Sequence, residues 1–524
     1  MSDWSFARVW DAIAEVAPER EAVICGPTRC TFGELESRAS GLATWMWNQG
    51  VRPDDKVAIN LTNRPEYLET YYGASKLGAV PVNVNYRYKA DEIRHLLEDS
   101  DAKVIVTEPA FAAETRAAAA STIVIEIGPE LEAAIANPGA DDGWRKRIPS
   151  GDDLMFLYTG GTTGMPKGVM WRNDDLYVAL WQMGRPGTEP PDPLKTVREG
   201  KRAATAFPAC PLMHGTGLFI TLSTLAGGGT VVLIDQVGLD AALIWSEVER
   251  NDVQVLTIVG DVFARPLLTA LDAEPDRWDL SSLRAITSSG VTWSPEVKRG
   301  LLDHLPAVTM LDSLGASEGL MSRSAAKSGD EKISAARFAV NDRVKVVTAE
   351  GVEVGWGTEE VGMVAVGGRI PLGYYKDPEK TAQTFRLVNG VRHSIPGDYA
   401  TVDEDGTVRL LGRGSATVNT GGEKVYPEEV ELTLQSNPAV FDCVVVGVPD
   451  ERFGEAVVAL VQVTDNCSTD EEALKAFCKS RGLANYKVPR RILFADTLRR
   501  APNGKADYKL LREMAADLLS VTGE

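Results

Sequence analysis

Apolar positions along this chain switch repeatedly between two periods, and the switches mark its elements. From Phe32 to Trp47 they recur at helical spacing behind Thr31, which predicts an amphipathic helix with Thr31 as its N-cap. A second helix is expected from Pro65 and a third over Ala112–Ala120, whereas Pro186–Pro193 reads as a loop. Short apolar runs at Val57–Leu61, Val104–Thr107, Leu154–Tyr158, Thr230–Ile234, Val255–Val259 and Ala285–Ser288 predict buried strands separated by amphipathic helical stretches. That alternation predicts an α/β architecture with largely parallel sheets, and such folds collect ligands at the carboxyl ends of their strands.

The rhythm changes after residue 340. Val344–Val347, Gly362–Val366 and Thr407–Leu410 read as short strands between Gly and Asp turns, which predicts a small β-rich subdomain. Gly414–Gly422 has the composition of a hinge. Beyond it, a helix at Pro427–Ser436, strands at Cys443–Val448 and Val457–Val463, and a helix at Asp470–Arg481 make a compact α+β domain. A chain of 524 residues is too long for one core, so this division into a large and a small region is expected.

Composition narrows the partners. Fifty-five Lys and Arg face 74 Asp and Glu, a net charge of −19, which argues against nucleic acid and requires local positive sites for any anionic substrate. The six cysteines form no CxxC pair and the four histidines are scattered, so neither a zinc site nor a disulfide framework is expected and a reducing cytoplasm fits. The first ten residues lack a signal-peptide layout, and no apolar run is long enough to span a bilayer.

Candidate chemistry begins right after the run Leu154–Tyr158. Thr159-Gly160-Gly161-Thr162-Thr163-Gly164-Met165-Pro166-Lys167-Gly168 supplies flexible backbone, three hydroxyls and one ammonium, the materials of a phosphate cradle. Its spacing differs from the common nucleotide loop, which needs Gly-Lys-Ser/Thr. This stretch resembles the signature loop of the adenylate-forming superfamily, which includes acyl-CoA synthetases, luciferases and the adenylation domains of peptide synthetases.

Further motifs occur in that family's order. His214, in Pro211-Leu-Met-His-Gly-Thr-Gly217, is expected between an apolar strand and a Gly turn, and corresponds to the family's substrate-site histidine. Asp312-Ser313-Leu314-Gly315-Ala316-Ser317-Glu318 resembles the aromatic-Gly-x-Thr-Glu motif, with Glu318 as the Mg²⁺ carboxylate and Ser317 facing phosphate. Leu314 stands where an aromatic ring ordinarily packs on adenine. Ser394-Ile-Pro-Gly-Asp398 and Leu411-Gly-Arg413 resemble the elements that bind ribose, and Ser289 and Gly290 join the nucleotide set. Asn419–Glu431 resembles the motif whose glycines line the pantetheine path, here Gly421, Gly422 and Glu423. The charged hinge residue is replaced by Ser415 and Ala416. Arg500-Ala-Pro-Asn-Gly-Lys505 matches the element whose lysine offsets charge during adenylation.

The resemblance covers essentially the whole chain, and the wording of its motifs is closest to actinobacterial acyl-CoA synthetases for fatty acids and steroid side-chain acids. It implies an N-terminal domain over 1–412, a hinge at 413–416 and a mobile C-terminal domain over 417–524. It also implies ATP, Mg²⁺ and CoA, with Lys505, His214, Glu318 and Lys167 as catalytic residues. The acyl pocket is expected among loops around Gly260-Asp261-Val262-Phe263, Ser289-Gly290, Leu311 and Gly315-Ala316 beside His214, where the small residues at 260, 290, 315 and 316 suggest a bulky or polycyclic acid, with a long-chain fatty acid as its competitor. Three alternatives stand beside a complete ligase: acyl transfer to a carrier protein, thioester formation only from a preformed acyl-adenylate, and a non-enzymatic nucleotide-binding protein. A homodimer is left open.

Overall fold

A computed structural model of the chain describes residues 3–159, 165–183, 185–200, 204–291, 293–330, 333, 338–420, 423–450, 453–465, 467–501 and 504–521. The helix expected behind Thr31 spans Phe32–Asn48. Thr31 Oγ1 accepts from the Glu34 amide at 3.2 Å, and the Glu34 carboxylate accepts from the Thr31 amide at 2.8 Å. This reciprocal pair satisfies two amides that a helix start otherwise leaves open. The next helix, Pro65–Leu77, starts on a proline and ends at Gly78 in the left-handed region (φ 72°). All its residues from Tyr67 onward are buried, so it runs through the interior. Its two buried charges, Glu69 and Lys76, are paired with Arg38 and with Asp11 and Glu36, respectively.

Two mainly parallel sheets carry the N-terminal region. One orders its strands as Gly319–Ala326, Thr309–Ala316, Ala285–Ser289, Val255–Ile258, Ala206–Pro208, Val231–Leu233, Glu21–Cys25 and Thr28–Thr31. Its six inner strands are parallel, and an antiparallel hairpin strand closes each edge. The other sheet sets Leu154–Thr159 beside Val80–Asn83, with Lys167–Arg172 antiparallel to it. Helices pack between the two sheets around a core that includes Trp10, Tyr71, Tyr72 and Trp171. A third, antiparallel sheet contains Val344–Val347, Gly362–Gly367, Asp398–Val402 and Thr407–Arg413, the β-rich unit expected after residue 340.

From Val418 onward the strands join a separate five-stranded sheet, built on the long hairpin Val440–Asp450 and Gly454–Val463. Two apolar clusters of its own flank it, one with Val430, Leu434 and Leu474, the other with Leu493, Leu511 and Ala515. Between the third and fourth sheets the chain makes only the short 3₁₀ turn Gly414–Ala416.

Three local expectations change. His214 is followed by the helix Gly215–Ala226, not by a Gly turn, because the apolar run behind those glycines continues the helix into the core. Gly260–Phe263 is the first turn of the helix Gly260–Ala273, not a loop. Leu311–Ala316 lies within a strand held on both sides, by Ala285–Ser289 and by Gly319–Ala326.

Candidate active site

The carboxyl ends of adjacent parallel strands bring the motifs together. Val255–Ile258 leads to Gly260 and Asp261, Ala285–Ser289 leads to Gly290, and the neighbouring strand ends in Asp312–Ala316. In register, Ser288 lies beside Asp312 and Ser289 beside Ser313. Ser288 Oγ accepts from the Gly260 amide at 2.8 Å and ties the first two ends together. Across the cleft, Leu154–Thr159 of the second sheet delivers Thr159 to the start of the Gly-rich loop. Gly160, Gly161, Thr162, Thr163 and Gly164 themselves lie outside the described residues, as do Gly421 and Gly422 of the expected CoA path.

His214 is the N-cap of its helix. Its Nε2 is shielded from solvent and has no hydrogen-bond partner among the described residues. Burial first, and the charge of Lys505 second, push its pKa down to about 3, so the imidazole is neutral at physiological pH. The C-terminal domain is thus placed so that the Lys505 charge reaches the histidine. Gly504 shows the same approach: a Cβ there would lie 3.1 Å from Val259 Cγ1 and 3.4 Å from Val262 Cγ2. Arg265 adds a contact between domains, donating to the Gln435 carbonyl at 3.3 Å while Asp261 holds it at 3.2 Å.

Two asparagines that pattern reading missed fix this geometry. Asn83 accepts from the Tyr158 amide at 2.6 Å and donates to the carbonyls of Tyr158 (3.0 Å) and Met213 (2.6 Å). One buried amide thus joins the strand before the phosphate loop to the residue before His214. Asn63 accepts from Leu212 N at 2.7 Å and donates to the carbonyls of Pro208 and Cys210. Neither belongs to a chemical motif; only the meeting of two sheets gives them partners.

The acidic residues have distinct settings. Glu318 sits in the tight hairpin turn after Ala316, where Oε1 accepts from Tyr374 OH at 2.7 Å. The neighbouring Ser317 carbonyl accepts from Trp171 Nε1 at 2.8 Å. No cluster of three or more His, Cys, Asp or Glu suited to a metal occurs among the described residues. A single carboxylate suits a cation such as Mg²⁺, which keeps waters and substrate phosphates as its other ligands. Asp312 is buried and paired with Lys298, itself 1% exposed, at 2.5 Å. Burial raises the Asp312 pKa and the Lys298 charge opposes that rise. Burial likewise raises that of Asp261, opposed by Arg265 and by the bond from the Ser294 amide.

Lys167, half-exposed at the loop's far end, pairs with Asp377, which holds the Asp377 carboxyl below its ordinary value. Asp398 and Arg413 are register partners on adjacent antiparallel strands, so the two ribose candidates share one sheet edge. Leu314 packs against the main core, and Ser313 accepts from Arg323 Nε at 3.3 Å. Of the expected acyl residues, Val262 and Phe263 line a cavity of about 160 Å³ together with Phe207, Leu243, Arg500 and Ala501. A methyl placed on the Cα of Gly290 (φ 92°) would meet Val259 and Thr216 at 3.8 and 3.9 Å, ordinary van der Waals contact. A larger cavity, about 530 Å³, lies far from these motifs near Lys76 and Trp144, and its lysine is already paired with Asp11 and Glu36. No helix among the described residues is long and apolar enough to cross a membrane.

Comparison with known proteins matches this arrangement. Residues 10–375 fit the AMP-binding enzyme family and residues 429–505 the AMP-binding enzyme C-terminal domain. The chain is 41% identical to a medium/long-chain-fatty-acid–CoA/3-oxocholest-4-en-26-oate–CoA ligase of Mycobacterium tuberculosis, over 95% of this chain and 94% of that protein. It is 38% identical to a 3-oxocholest-4-en-26-oate–CoA ligase of Rhodococcus rhodochrous, with the same coverage. Among solved structures it is similar to ATP-bound MatB from Rhodopseudomonas palustris, with a TM-score of 0.78, 26% identity and coverage of 98% and 99% of the two chains.

Proposed function

Given that this chain belongs to the AMP-binding enzyme family and is an acyl-CoA ligase, we propose that it activates a bulky hydrophobic acid of the steroid side-chain type, in two half-reactions in the cytoplasm. The observation that carries this reading is the docking of Gly504, next to Lys505 of the C-terminal domain, against Val259 and Val262 of the N-terminal domain, near enough for the Lys505 charge to act on the buried, neutral His214. That arrangement suits the first half-reaction. A carboxylate oxygen of the acid attacks the α-phosphorus of ATP, the bond to the bridging oxygen breaks, and pyrophosphate leaves. Lys505, exposed in this structure, offsets the charge that builds between two anionic reactants once they fill the site. His214, neutral and buried, orients the acyl carboxylate without adding charge. Lys167 and the loop from Thr159 hold phosphates, and Asp398 with Arg413 holds ribose. Glu318 would hold Mg²⁺, which supplies Lewis-acid neutralisation of the departing pyrophosphate when bound.

In the second half-reaction the domain beyond the 413–416 hinge turns, withdrawing Lys505 and bringing Glu423 and its preceding glycines to the thiol path. The CoA sulfur then attacks the acyl carbonyl, AMP departs with the bonding pair, and the thiol proton is released to solvent. Small Ser415 and Ala416 permit that rotation, as expected of a hinge that absorbs backbone change. The steroid acid in both relatives' names, alone in one of them, favours a steroid-type acid over a slender one.

The test is turnover with ATP, Mg²⁺ and CoA on 3-oxocholest-4-en-26-oate and a series of fatty acids, with AMP and thioester read by mass spectrometry. Matched AMP and steroid thioester, with kcat/KM above every fatty acid, is the expected result. Preference for an unbranched fatty acid would overturn the acid class. Thioester only from supplied acyl-adenylate would overturn the two-step reading.

A further inference from the structure

Lys505 is carried by a tight turn. The Ala501 amide donates to the Lys505 carbonyl at 2.9 Å, and the Gly504 amide donates back to Ala501 O at 2.8 Å. Gly504 takes a positive φ of 72°, which a side chain disfavours. One residue before the turn, the Arg500 side chain is only 11% exposed. Its Nε and Nη2 grip both oxygens of Asp442, at 2.7 and 2.8 Å, and Nη2 also reaches the Cys443 carbonyl at 3.1 Å. The remaining arm, Nη1, donates to the Gly504 carbonyl at 3.1 Å. That carbonyl belongs to the peptide unit leading directly into Lys505, and a peptide unit is planar, so holding its oxygen fixes the direction in which the Lys505 Cα follows.

We propose that the Arg500–Asp442 pair is the positioning element for Lys505, setting where its ammonium enters the acyl site during adenylation; this rests on the role of Lys505 given above. Asp442 stands on the long strand Val440–Asp450 of the C-terminal domain's own sheet, so the pair references the lysine to that domain's rigid core. The planar fork of arginine matters. It meets two carboxylate oxygens in parallel and still presents a third donor at a fixed angle, whereas a lysine offers one compact ammonium. Arg500 also borders the cavity beside Val262 and Phe263, but all three of its guanidinium nitrogens are engaged within the C-terminal domain, so it acts on the site through Lys505. When the domain rotates, the whole unit leaves with Lys505, so the second half-reaction does not need it.

Full-length Arg500→Lys and Asp442→Asn variants, with Lys505→Ala and the double variant Arg500→Lys/Lys505→Ala, test this. Two rates are read: acid-dependent ATP–pyrophosphate exchange, and thioester formation from CoA and a supplied acyl-adenylate. A misplaced catalytic group costs about 10²-fold, so Arg500→Lys should lose about that in exchange kcat with little change in the KM for ATP. Thioester formation should stay within about threefold of the parent, and Asp442→Asn should repeat the pattern if Arg500→Lys folds poorly. The double variant should be no slower in exchange than Lys505→Ala alone, because Arg500 acts only through that lysine. Equal loss of both rates in Arg500→Lys, an unchanged exchange rate, or a double variant well below Lys505→Ala would overturn the proposal. Full exchange in Lys505→Ala would instead overturn the underlying assignment of the lysine.

Discussion

Replacing Lys298 by Met removes the cation paired with the strand Thr309–Ala316 and leaves the Asp312 carboxylate without it in the interior. The two charged groups lie 2.5 Å apart, the lysine 1% and the aspartate 11% exposed at the side chain. At that spacing the attraction is about 6–7 kcal/mol for an effective dielectric near 20, much of it offset by the desolvation of both ions. Breaking such a pair from one side costs more than the pair contributes, because the other charge stays buried; losses of about 3–5 kcal/mol are typical. Asp261 makes matters worse, since its negative charge also bears on Asp312. We therefore expect Lys298→Met to lose about 3–5 kcal/mol in urea unfolding, and Lys298→Met/Asp312→Leu to recover most of it. The sign with pH follows. Without the lysine, burial raises the folded Asp312 pKa unopposed, so the folded chain keeps a proton that the unfolded chain has lost. The deficit is then small in acid and grows as pH rises through the unfolded aspartate value. A single variant within about 0.5 kcal/mol of the parent, or a double variant no better than the single, would refute this reasoning.

Other consequences follow from the same contacts. Burial, with Glu428 and Asp442 adding to it, pushes the Glu431 carboxyl up to about 8; stability should therefore decline as pH rises from the ordinary glutamate value towards 8, and Glu431→Gln should flatten that decline in thermal melts at several pH values. Asn83→Ala leaves the Tyr158 amide and two carbonyls without their partner; it should cost about 2–4 kcal/mol and slow adenylation at least about tenfold, and parent-like exchange in a folded variant would rule out its role in positioning. With its pKa held near 3, His214 stays neutral throughout turnover, so His214→Gln should raise the KM for the acid while the pH–rate profiles of variant and parent run parallel between about pH 5 and 8. In the folded state that histidine binds no proton where the unfolded chain does, so its contribution to stability is lost as pH falls below the ordinary histidine value; acid melts of His214→Gln should show a shallower loss.

Much of this molecule is written locally. Thr31 and Glu34 specify a helix start through bonds within four residues, and Pro65 with Gly78 brackets the next helix by backbone preference alone. Buried parallel strands such as Val255–Ile258 declare themselves as apolar runs, because both faces meet helices. Candidate motifs are equally legible where a family's pattern has a residue type in fixed order, as with His214, Glu318 and Lys505. Local pattern misleads where an element's partner is distant. Gly260–Phe263 reads as a loop because glycine starts it, yet the helix it opens packs into the sheet. Leu311 and Gly315–Ala316 read as loops, yet strands on both sides hold them extended.

Tertiary structure alone decided the rest, since the deciding partners are far apart in the chain. Asn83 acquires its role from Tyr158 and Met213, the buried Lys298 from Asp312, and Arg500 from Asp442. The neutrality of His214 depends on burial and on a lysine that arrives from the other domain. Sequence determined the inventory of candidate residues and the order of elements, through short-range backbone and periodicity rules. Folding determined which groups are buried together, and that sets their charge and their hydrogen bonds.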